Sequence, residues 1–149
     1  MHRQIRNFVT AVCVGVLCTG TVLPPGADAR DLRESKVFRQ FLQKPRSEFA
    51  KLVCLMNYYR TEDFIIRFDG FDYTPAYAFP YAKSWLFTHY NKEKAEEWVK
   101  KNCYVSPYGR NIIYVKFPGG DYEIARDMIL RDLAGLETAI ADHEAGSMS

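Results

Sequence analysis

Residues 106–121 read SPYGRNIIYVKFPGGD, and the fold turns on how this stretch is understood. A polar turn carrying Gly109 and Arg110 runs into Ile112-Ile113-Tyr114-Val115-Lys116-Phe117 and breaks at Pro118-Gly119-Gly120. Three readings compete: a phosphate cradle, a peptide-binding sheet edge, or a plain strand between two loops. The cradle fails on its neighbours. Neither the Lys-Ser/Thr of a phosphate loop nor a GxGxxG fingerprint accompanies Gly119-Gly120. The two glycines instead let the chain leave a strand and turn into a helix. A strand is therefore expected at about 111–117, with Arg110 and Lys116 beside it.

A second strand is expected at Phe64-Ile65-Ile66-Arg67-Phe68, closed by a tight turn at Asp69-Gly70. Helices account for the rest. Val37, Phe38, Phe41 and Leu42 at helical spacing suggest a short one that stops near Pro45. Ser47 precedes a second, in which Phe49, Leu52, Val53 and Met56 recur at i, i+3, i+4, i+7 with Cys54 beside the stripe. Thr74-Pro75 opens a third, running to about Tyr90. Pro80 lies inside it, so a kink or a fresh start is expected there. Asn91 is read as the cap of a helix over Lys92–Asn102, with Ala95, Trp98 and Val99 inward. Asp121 is read as the cap of the last, with Ile124, Met128, Leu133, Leu136 and Ile140 toward the core and residues 142–149 frayed. The order is helix, strand, helix, helix, strand, helix. The fold class is α+β, with a small two-stranded antiparallel sheet packed on helices.

The first 29 residues read as a secretory signal peptide. His2, Arg3 and Arg6 form a basic start, Phe8 to Leu23 a mostly apolar run, and Ala27-Asp28-Ala29 a small-x-small cleavage site. The run is interrupted and short of the ~20 residues of a membrane span. Cleavage after Ala29 leaves a single domain, 30–149, with its core over 47–140 and no membrane span. A lipid anchor on Cys18 is disfavoured because the preceding residue is Leu17 rather than a small one. Arg3, Arg6 and Asp28 leave with the segment, so the formal charge falls from +2 to +1. No basic stripe suited to nucleic acid remains. Cys54 and Cys103 are then the two cysteines left, and an oxidising compartment favours a disulfide between them over two buried thiols.

The arrangement resembles the YfeK-like family of small uncharacterised bacterial exported proteins. Its pattern of a strand ending in a polar residue and Gly is matched by Phe64–Gly70. Tyr73-Thr74 is similar to the turn that follows, Lys94-Ala95-Glu96-Glu97-Trp98-Val99 to the second helix, and Ser106–Phe117 to the Ser-rich turn and final strand. The likeness covers residues 47–136. It departs where the family's helical His is matched by Tyr81 and its Lys-Pro-Tyr by Arg110-Asn111-Ile112. The resemblance implies fold and export, and leaves the activity open.

Catalytic signals are sparse. His89 and His143 are the only histidines beyond residue 29. Neither has a second ligand at metal spacing, and no metal or cofactor is expected. Ser84, Ser106 and His89 are not placed together by any motif, and no GxSxG elbow occurs. Two functions follow. The first is a non-enzymatic periplasmic module that binds an envelope protein or other envelope component. It would use an open strand edge, the residues Arg67, Tyr73, Arg110, Tyr114 and Lys116, and surface tyrosines Tyr58, Tyr59, Tyr73 and Tyr77. The second is a small envelope hydrolase or acid/base enzyme with Tyr81, His89 or carboxylates in a cleft by Pro80.

Overall fold

The structure, a computed structural model, describes residues 32–148. The expected signal peptide and cleavage site, with Cys13 and Cys18, lie outside the described residues.

Two hydroxyl-capped helices come first. In α1, Lys36–Leu42, the Ser35 hydroxyl accepts the Phe38 N–H at 3.0 Å, and Phe38 and Phe41 are buried. In α2, Glu48–Tyr59, the Ser47 hydroxyl accepts the Ala50 N–H at 3.1 Å. Such a side chain satisfies one of the backbone donors that a helix start leaves unpaired. The buried residues of α2 are Leu52, Cys54, Leu55 and Tyr58. The stripe is thus wider than the expected one and includes Cys54, because α1 and the helices Pro75–His89 and Ala125–Ser147 each cover part of the helix. The core also begins earlier than residue 47, with Leu32, Phe38 and Phe41 all buried.

The sheet corrects the expected one. It has four strands rather than two, in the order β2-β1-β3-β4, antiparallel throughout. Strands β1, Ile65–Phe68, and β2, Phe71–Tyr73, form a hairpin. Its two turn residues are Asp69 and Gly70, at φ 49° and 84°. Two consecutive left-handed residues match the right-handed twist of the strands, and Asp-Gly is a favoured pair for them. Strand β3, Tyr114–Lys116, is shorter than 111–117 and lies inside the sheet, paired to β1 on one side and β4 on the other. No open edge exists along it. Strand β4, Tyr122–Ile124, occupies the place where Asp121 was expected to cap a helix.

Helix α3, Pro75–His89, starts on the Thr74 hydroxyl, which accepts the Tyr77 N–H at 3.3 Å. It continues through Pro80 as one helix. Helix α4, Ala95–Asn102, starts three residues later than expected and buries Ala95, Trp98 and Val99. Asn91 does not cap it. Its cap comes from α2, where Glu48 Oε2 accepts the Ala95 N–H at 2.8 Å. The other carboxylate oxygen accepts from Lys51 Nζ at 2.6 Å. Helix α5, Ala125–Ser147, runs through the stretch expected to fray. Arg33 pairs with Asp142 at 2.9 Å and Arg46 with Glu144, tying that last part to the start of the domain.

The Glu48 cap carries a prediction. The Lys51 ammonium and then the Ala95 N–H hold this carboxyl below its ordinary value of 4.5. A lowered folded pKa means that the contribution is complete above the unfolded value and is lost as pH falls through the folded one. Glu48→Gln should cost about 1 kcal/mol near neutrality, the usual size of a cap. That deficit should shrink as pH drops below 4.5, because the wild-type carboxyl then protonates. Urea unfolding of both proteins across that range checks it.

Candidate functional site

Antiparallel pairing sorts the sheet residues onto two faces. Partners directly opposite each other point the same way, so Arg67, Asp72, Tyr114, Lys116 and Tyr122 share one face. Ile66, Val115 and Tyr73 share the other. That second face packs on α5, where Phe64, Val115, Ala125 and Met128 form a buried cluster.

Three of the five expected binding residues meet on the outer face, around a ring that the sequence reading did not single out. The Arg67 guanidinium lies 4.1 Å over Tyr122, and Lys116 Nζ lies 5.3 Å from the same ring. The edge of Tyr114 approaches Tyr122 at 6.4 Å between centroids. Arg67 is already engaged: it donates to both Asp72 oxygens, at 2.8 and 2.9 Å, while the Tyr122 hydroxyl donates to Asp72 at 3.2 Å. A bidentate pair of this kind satisfies the guanidinium's fork. This part of the expected binding patch is thus a largely self-satisfied network. Cross-strand register was the signal that would have placed Asp72 and Tyr122 there.

Arg110 is elsewhere. It is exposed, with a left-handed backbone at φ 55°, in the 106–111 loop. That loop is closed on itself by Ser106 N–H to the Asn111 carbonyl at 2.8 Å. It is closed on the β1–β2 turn by Asp69, whose Oδ1 accepts from the Ser106 hydroxyl and from Asn111 Nδ2 at 3.1 Å. The Ser106 hydroxyl also accepts the Gly109 N–H at 3.2 Å. These donors, Ser106 first, hold the Asp69 carboxyl below its ordinary value. Ser106, only 1% exposed, is therefore a structural hydroxyl joining two turns.

Tyr73, the fifth residue, lies on the other face and opens a groove of about 780 Å³. One wall is α3. The opposite wall is built from α2, the inner sheet face, the end of α4 and the 107–108 loop. Tyr73 stacks on Tyr77 at 5.5 Å with the rings 6° from parallel, and Tyr77 meets Tyr81 at 5.9 Å. A ladder of three phenol rings thus runs from the sheet along α3. Tyr77, Tyr81 and Tyr108 are more than half exposed. Tyr58, expected on the surface, is buried, and the hydroxyl of partly buried Tyr59 donates to Asp132 at 2.6 Å. Burial first, and then the Asp132 charge, push that hydroxyl well above its ordinary pKa.

The groove's polar groups make mostly local contacts. His89 Nδ1–H donates to the Trp85 carbonyl at 2.9 Å, and its ring stacks on Trp85 at 3.6 Å. Trp85 Nε1 donates to Asn102 Oδ1 at 3.4 Å. The indole N–H of Trp98 has no acceptor, on a side chain 6% exposed. Buried donors are normally paired. Cys54 and Cys103 are both free thiols, so the expected disulfide is not formed in this structure. Each cysteine belongs to or packs against the main core cluster, and burial pushes both thiols up to about 12. They are protonated and poorly nucleophilic at neutral pH.

Among the described residues there is no group of His, Cys, Asp and Glu able to hold a metal ion, and no helix is long and apolar enough to cross a membrane. No protein-family model, curated protein or solved structure matches the chain.

Proposed function

We propose that the chain is an exported, non-enzymatic binding module of the cell envelope, akin to the YfeK-like proteins, and that its binding site is the groove beside α3. One observation carries the siting. Helix α3 reads PAYAFPYAKSWLFTH, with one lysine and no carboxylate, yet only Pro75 and Leu86 are buried among its 15 residues. A helix that is apolar on all sides belongs in an interior. Here Tyr77 and Tyr81, which line the groove, are left 58% and 67% exposed. Contiguous exposed apolar surface of this kind marks interaction sites. The groove's volume also falls in the ~300–1,000 Å³ range of ligand sites.

The experiment is a titration with phenylnaphthylamine, a neutral dye that brightens in apolar surroundings. The wild-type chain should bind it saturably. Ala78→Phe, which puts a ring into the lining, should weaken binding at least about tenfold while leaving the circular dichroism unchanged. Equal binding by the variant would remove the groove from the proposal. The intact mass of the chain recovered from the cell envelope checks export: retention of residues 1–29 would argue against it.

A further inference from the structure

We propose that the ligand of the groove is a single-chain amphiphile with an anionic head, a free long-chain carboxylate, held with its chain along the aromatic wall and its carboxylate at Arg60. The inference rests on the groove being the binding site and adds the chemistry of what fills it.

The charge of the lining decides the sign. No Asp or Glu lines the groove. Arg60 is its one permanently charged side chain. Arg60 stands just past the end of α2, exposed, with its guanidinium 5.1 Å from the centre of the Phe79 ring. Resting on an aromatic face leaves the edge donors of a guanidinium available to a carboxylate, which they fit in a bidentate fork. The unpaired buried polar group of the lining, the Trp98 N–H, is likewise a donor. A cationic ligand finds no carboxylate in the lining, and Asp132 behind it is engaged by the Tyr59 hydroxyl.

The shape selects a chain over a flat surface. The lining runs from Phe68 and Tyr73 on the sheet, past Ala78 and Ala82, to Trp85 further along α3 and Trp98 on α4. Ala78 and Ala82, small side chains among the rings of both walls, leave a slot for a methylene chain. Burying such a chain contributes about 0.8 kcal/mol per CH₂.

Both tryptophans of the chain, Trp85 and Trp98, line the groove, so their emission reports on it directly. The chain as recovered from the cell is titrated with dodecanoate below its micelle concentration, and with dodecanol and dodecylammonium. Dodecanoate should shift the emission saturably and displace phenylnaphthylamine. Dodecanol and dodecylammonium should bind more weakly. Arg60→Gln should weaken dodecanoate about tenfold or more, the value of a hydrogen bond to a charged group, without changing dodecanol binding. Arg60→Lys should restore part of the loss.

Binding of the dye that dodecanoate does not displace would overturn the carboxylate assignment and leave the groove standing. So would equal affinity for dodecylammonium, or an Arg60→Gln variant that binds dodecanoate as wild type does. Displacement by an acidic peptide but not by dodecanoate would replace the amphiphile with a polypeptide ligand. Failure of the dye and dodecanoate alike would overturn this inference and the groove reading together.

Discussion

Leu136→Ala should cost about 3–4 kcal/mol of folding stability. Leu136 sits in the middle of α5 with no exposed surface, in the cluster that also holds Phe38, Leu55, Leu86 and Trp98. Removing a fully buried isobutyl group loses its transfer energy and leaves a cavity whose walls relax only in part. The neighbours of Leu136 in that cluster come from several helices and are themselves buried, and a close-packed interior gives way only in part. Ala141→Ser, on the exposed side of the same helix, should stay within about 0.5 kcal/mol. Urea midpoints of the two variants read the difference. A Leu136→Ala loss below about 1 kcal/mol would mean that the helical core is not packed as described.

Gly109→Ala should cost about 2–3 kcal/mol, and its cause is different. A Cβ on Gly109 would sit 2.2 Å from Asp69 Oδ1 and 2.7 Å from Asn111 Nδ2. The carboxylate must move aside, but it is the acceptor of the Ser106 hydroxyl. Displacing it strands a polar group that is 1% exposed. An unmade bond at a buried hydroxyl costs about 1–3 kcal/mol, and the loop must shift as well. Gly120 makes the comparison, since its added Cβ would meet only the Phe117 carbonyl at 3.5 Å. Gly120→Ala should change stability by less than about 0.5 kcal/mol. Should the two alanines behave alike, the Asp69–Ser106–Asn111 cluster is not what joins the turns.

Much of this architecture was legible from residues near one another in the chain. Ser47, Thr74-Pro75 and the inward set Ala95, Trp98 and Val99 all act where local chemistry put them. The failures share a cause, which is a partner distant in sequence. Strand β2 was missed because Phe71-Asp72-Tyr73 is three residues long, and its strand character comes from pairing with Ile66, Arg67 and Phe68. Strand β4 was hidden because Tyr122-Glu123-Ile124 passes into α5 with no break, so it read as the first turn of a helix. Asn91 was given a cap that belongs to Glu48. The binding residues suffered most. The residues chosen as a patch divide between two faces of a sheet and a loop. The groove is assembled from positions as far apart as Leu52 and Ile129, a grouping that periodicity does not encode. What the sequence did carry was the oddity of α3, with aromatic residues on every side and a single charge.

The Glu48 carboxylate reaches α4 from 47 positions upstream, and this sets an order of events in time. An eight-residue helix does not persist alone in water. Its first turn waits for a residue that is in place only after α2 has formed and docked. Closing so long an intervening loop has an entropic cost that must be met before the contact returns anything. Helix α4 is therefore expected to consolidate only once α2 has docked. Because Trp98, Asn102 and Cys103 at this end of the groove travel with it, the wall they form is completed no earlier than that docking.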